Sequence, residues 1–164
     1  MTTSQKWLLW LSSGLTGATG LVYWWMKNLM RPLDEFAVIN HPLQPWMLKA
    51  HIIAAPVMVF AVGLIAAGHI WKQYKRPVSS GRISGLVSMG VLGPLIMTGY
   101  VIQVVTHVGW LEALAWAHLG AGALYLLSLF AHHRAVRDLW IQRLRTRKAR
   151  LEVSDVPSGV GPRG

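Results

Sequence analysis

Seven histidines carry the chemistry this sequence can offer: His41, His51, His69, His107, His118, His132 and His133. There is no cysteine, which excludes disulfides, thiolate metal sites, iron–sulfur ligation and thioether attachment of a prosthetic group. Four of the histidines bracket two apolar runs. "HIIAAPVMVFAVGLIAAGH" places His51 and His69 18 residues apart, and "HLGAGALYLLSLFAH" places His118 and His132 14 residues apart. At about 100° per residue, 18 residues close five helical turns, so His51 and His69 share a face. Fourteen residues leave His132 about 40° from His118, with His133 about 60° off on the other side. At the about 3.5 residues per turn of a supercoiled bundle, 14 residues are four whole turns. His132 is the preferred partner of His118, and His133 its substitute.

Neutral imidazole is an axial ligand of haem iron, and two imidazoles leave no open position for oxygen chemistry. Histidines at two depths on two helices therefore suit two bis-histidine haems that relay electrons. With about 1.5 Å of rise per residue the two levels lie about 21 to 27 Å apart, one near each membrane face. The expected pairs are His51 with His118 and His69 with His132. Lys49, Lys72, Arg76 and Arg134 stand near the ends of these runs as candidate partners for haem propionates. Small residues beside the histidines leave room for a flat macrocycle: Ala54, Ala55, Ala66 and Gly68 in one run, Ala121 and Gly122 in the other. Further glycines lie at 14, 17, 20, 85, 90, 93 and 99. Such residues equally serve plain helix packing in a bilayer. His41, in "NHPLQPW", and His107, in "THVGW", are expected in outer connections as interfacial residues, with propionate binding, a quinone pocket or replacement of His51 as alternatives.

The elements that must position these groups follow from composition. Of 164 residues 53% are hydrophobic and only 13% charged, and nine are Trp against three Phe. An ordinary soluble domain has about a quarter of its residues charged, and indole rings favour the headgroup region. The net charge of +10 could suggest nucleic acid, but the charges are absent from four long runs and crowd between and after them. The expectation is an all-α, integral membrane four-helix bundle with spans at about 7–26, 48–71, 85–106 and 113–133. A basic amphipathic extension over residues 134–150 either lies on anionic lipid or continues the fourth helix into solvent. Residues 151–164, rich in Gly, Pro and Ser, read as a disordered tail. The first run is read as a retained helix rather than a cleaved signal, because it is long, ends in Trp24 and Trp25, and has no A-x-A site. Lys72, Lys75, Arg76 and Arg82 follow the second run, and seven Lys and Arg lie within residues 134–150 after the fourth. Both termini are then cytoplasmic.

The pattern resembles the membrane di-haem b-type cytochromes, including the small cytochrome b subunits of formate dehydrogenases and hydrogenases. It looks closest to short bacterial four-helix membrane proteins that share an "NHP" loop followed by histidines in the second and fourth spans. The first helix carries no histidine here, unlike the formate dehydrogenase type. Two ligands on each of two helices, 14 apart on one, are nearer to the cytochrome b of quinol-oxidising bc complexes, though without a recognisable quinol-site motif. The resemblance implies two non-covalent haem b groups, with a quinone as a further ligand. It also implies redox partner subunits, such as a c-type cytochrome or an oxidoreductase, in a hetero-oligomeric complex of the bacterial inner membrane. The chain would be an electron-transfer subunit rather than a stand-alone enzyme. The alternative is a non-redox membrane anchor or assembly subunit. A metal or proton transporter ranks last, because the four runs contain no Asp, Glu or Cys.

Overall fold

A computed structural model describes residues 2–32, 34, 36–66, 68 and 82–154. All regular structure among them is helical: α1 (Thr3–Asn28), α2 (Gln44–Ile65), α3 (Arg82–Val101) and α4 (Val108–Ser154). The chain divides at residues 78 and 79 into two compact units, each an antiparallel hairpin of helices, α1 with α2 and α3 with α4.

In the first hairpin, α1 opens on a reciprocal cap. The Gln5 N–H donates to Thr2 Oγ1 at 3.3 Å and the Thr2 N–H to Gln5 Oε1 at 2.9 Å, which satisfies two of the orphan donors of a helix start. The buried face of α1 is unusual for a membrane chain: Leu9, Ser12, Ser13, Thr16, Thr19 and Met26. Two of those hydroxyls are neutralised locally. Ser12 donates to the Leu8 carbonyl and Thr19 to the Leu15 carbonyl, each at 2.7 Å. The small residues let α1 approach the buried face of α2, which is Ala54, Met58, Ala61, Val62 and Ile65. Asn40 ties the hairpin's connection together, its side-chain amide donating to the Lys27 carbonyl at 2.8 Å and its N–H to Gln44 Oε1 at 3.1 Å.

In the second hairpin, Leu92, Leu95 and Tyr125 are buried. Ser88 on α3 and Ser128 on α4 meet, Oγ to Oγ, at 2.7 Å. Outward-facing apolar side chains abound in both hairpins, among them Ile53 at 71% and Leu127 at 68% exposure. That is the surface of helices solvated by lipid rather than water.

Three of the four helices are long and apolar enough to cross a membrane: Gln44–Ile65, Ile83–Val101 and a window within Val108–Arg150. The chain is thus a multi-span membrane helical protein. Helix α1 is as long but less apolar, because its buried face is built from Ser and Thr.

Helix ends depart from the expected spans. Helix α2 begins at Gln44, four residues before the charge-free reading placed it, with Pro45 in its first turn, where a missing N–H costs nothing. Helix α3 stops at Val101, closed by turns in which the Gln103 N–H donates to the Tyr100 carbonyl and that of Val104 to Val101, each at 3.1 Å. The uncharged loop after it had looked like span. Helix α4 starts at Val108 and runs 47 residues without a break, through the extension and four residues into the segment read as a tail. Residues 155–164 lie outside the described residues.

Candidate histidine site

His51, on α2, is the first of the expected ligands. Its Nδ1 lies 2.9 Å from the Thr16 carbonyl oxygen of α1. A carbonyl only accepts, so Nδ1 carries the proton and, in a neutral ring, the lone pair is on Nε2. The imidazole seats against Gly20. A Cβ placed there would lie 2.8 Å from the ring Cε1 and 2.9 Å from Nδ1, which no side chain tolerates without movement.

His118, on α4, repeats the arrangement with different parts. Its Nδ1 is 3.0 Å from Thr98 Oγ1 on α3. The Thr98 hydroxyl has one proton, and the Pro94 carbonyl at 2.8 Å takes it. With that proton donated to Pro94, Oγ1 accepts and Nδ1 of His118 donates, which in a neutral ring leaves the lone pair on Nε2 here too. The ring lies against Gly99, where a Cβ would sit 3.0 Å from Cε1.

His132 repeats it a third time, more loosely. Ser84 Oγ is 3.5 Å from Nδ1, the outer limit of a hydrogen bond, and a Cβ on Gly85 would lie 3.3 Å from both Cε1 and Nδ1. It is His132, the preferred residue of the doublet, that rests in this notch. Ser84-Gly85 and Thr98-Gly99 are 14 residues apart on α3, as are His132 and His118 on α4. One spacing, read in opposite directions along an antiparallel pair, brings hydroxyl, glycine and imidazole together twice. Sequence reasoning named the glycines but missed Thr16, Ser84 and Thr98; the matching pair of hydroxyl–glycine dipeptides was the available signal.

His41 is built differently. Its Nδ1 is the acceptor, taking the Leu43 N–H at 3.1 Å, so a neutral ring holds its proton on Nε2 and offers no lone pair there. This places His41 in the turn that starts α2. His107 is exposed in the connection before α4, where its carbonyl accepts the Leu111 N–H. Of the candidate propionate partners, the Lys49 ammonium stands 4.9 Å from the Trp46 ring centroid and the Arg134 guanidinium 4.8 Å from that of Phe130. His69, Lys72 and Arg76 lie outside the described residues.

Among the described residues no three His, Asp or Glu side chains gather as a metal site would require. An iron held in a porphyrin makes a smaller demand, one or two imidazoles with a basic nitrogen outward and the other nitrogen fixed. His51 and His118 meet the second half of that demand, a partner for Nδ1. No family model, no curated protein and no solved structure matches this chain.

Proposed function

We propose that this chain is the electron-transfer subunit of a bacterial inner-membrane oxidoreductase, a b-type cytochrome holding two haem b groups non-covalently. His51 with His118 and His69 with His132 are the axial ligands, a pairing that comes from their matched depths in the sequence. The electron source is a quinone pool or a cytoplasmic donor, and the acceptor a redox protein on the outer side.

The observation that carries the reading is the fixed Nδ1 of His51 and His118. Ligating histidines characteristically donate their second N–H to a carbonyl or other acceptor, which sets the ring's orientation and raises its basicity. When bound, haem supplies a one-electron iron couple, closed to oxygen under two imidazoles. The chain's own part is to hold Nδ1, which in a neutral ring leaves the lone pair on Nε2. The cationic ends of Lys49 and Arg134 are suited to propionates.

A reduced-minus-oxidised spectrum of the purified protein, with pyridine haemochrome quantitation, tests this directly. The expected content is two haems b per chain, falling toward one in His118→Ala or His51→Ala. Colourless protein, or full haem content in both variants, would refute it.

The non-redox anchor is the competing reading, and the same contacts favour it: a histidine bonded across a helix pair is also interhelical glue. It predicts a colourless protein.

A further inference from the structure

The structure sorts histidines by which ring nitrogen is occupied, and that sorting identifies residues beyond the imidazoles themselves. Resting on the cytochrome reading, we infer that Thr98 is a positioning residue that fixes His118 as the Nδ1–H tautomer with its Nε2 lone pair toward iron, the role the Thr16 carbonyl plays for His51.

The argument is one of proton direction. Thr98 Oγ1 lies within bonding distance of two backbone carbonyls, Pro94 at 2.8 Å and Leu95 at 3.1 Å, so its proton has two acceptors along its own helix, the nearer of them closer than His118. What it turns to α4 is a lone pair, and His118 Nδ1 at 3.0 Å meets it. Gly99, next in sequence, removes the Cβ that would push the ring away. A bond from Nδ1–H to an acceptor moves electron density toward Nε2, which favours ferric over ferrous iron. Thr98 thereby lowers the potential of one haem as well as orienting its ligand. At His51 the acceptor is main chain and no side-chain change removes it; at His118 it is a hydroxyl and one substitution does.

The experiment is a potentiometric titration of the full-length haem protein with the α-band as readout. Thr98→Val keeps the shape and deletes the acceptor. It should move one haem to a more positive midpoint potential and leave the other in place, with Thr98→Ser near wild type and Thr98→Ala matching the valine variant should that one assemble poorly. Ser88→Ala supplies the contrast. It removes an interhelical hydroxyl bond of 2.7 Å from the same helix pair, remote in sequence from His118, and should shift neither potential. Wild-type potentials for both haems in Thr98→Val and Thr98→Ala would overturn the inference while leaving the cytochrome reading intact. Protein purified without haem overturns the cytochrome reading instead. Histidine-selective 15N NMR then decides the tautomer alone: Nδ1–H at His118 in wild type, shifting toward a mixture in Thr98→Val, supports the inference, and Nε2–H in wild type overturns it.

Discussion

The two hairpins hold a histidine in the same way with opposite materials. In the first, Ser12 and Thr19 of α1 bond to their own backbone, and the imidazole of His51 is caught by a bare carbonyl and a glycine. In the second, two hydroxyls face outward from α3 to meet His118 and His132, and α3 is otherwise apolar enough to be a membrane span. The difference teaches where a constraint is stored. A main-chain acceptor is immune to point substitution, so the first hairpin is vulnerable at its notch. A side-chain acceptor leaves the second vulnerable at the anchor.

That contrast can be broken most forcefully at Gly20. A Cβ at 2.8 Å from the His51 ring forces either the ring or the helix aside. Gly20→Ala should cost about 1–3 kcal/mol of stability, as overpacking does, and abolish the His51 level. Thermal unfolding in detergent and haem content measure the two. Gly85→Ala is the gentler counterpart: with 3.3 Å available and a looser anchor, a few tenths of an ångström of yielding suffices, and haem content should stay above that of Gly20→Ala. Equal losses in the two variants would remove the distinction between notches. Ser88→Ala comes next, with a stability loss of about 0.6 kcal/mol, a typical value for an interhelical hydroxyl bond in a membrane. Smallest is Thr16→Val. Thr16 Oγ1 is buried and has no hydrogen-bond partner among the described residues, while the carbonyl that holds His51 belongs to the backbone. The change should be neutral or stabilising by up to about 1 kcal/mol, since it removes an unsatisfied group. A destabilisation larger than that would mean the hydroxyl has a partner of its own.

Much of this was legible from residue types and periodicity. Charge-free length marked the apolar helices, and helical periodicity put His118 and His132 on one face with His132 ahead of His133. Glycines 20, 85 and 99 were visible among the small residues of the first and third runs, though no histidine was assigned to any of them. What spacing does not encode is direction. Ser and Thr are common on membrane helices and usually bond to their own backbone, as Ser12 and Thr19 do, so residue type alone did not mark Thr98 and Ser84 as turned toward a neighbour; only their shared 14-residue spacing with the histidines did. Helix ends were missed for a related reason. The connection before α4 carries no charge, so the apolar signal runs on through residues 102–107, where the helix has already closed. The continuity of α4 could have been foreseen, because no Gly or Pro interrupts residues 123–154.

That unbroken α4 has an electrostatic consequence. If the bilayer ends near His133, a straight continuation carries Arg150 about 26 Å farther along the axis, at about 1.5 Å per residue. The Debye length at physiological ionic strength is about 8 Å. Arg134 and Arg137 then sit inside the ion atmosphere of an anionic membrane surface and help fix the helix's orientation. Arg143, Arg145, Arg147, Lys148 and Arg150 stand beyond it, a cationic rod tip whose field is felt by acidic solutes in the aqueous phase rather than by the lipid the helix came from.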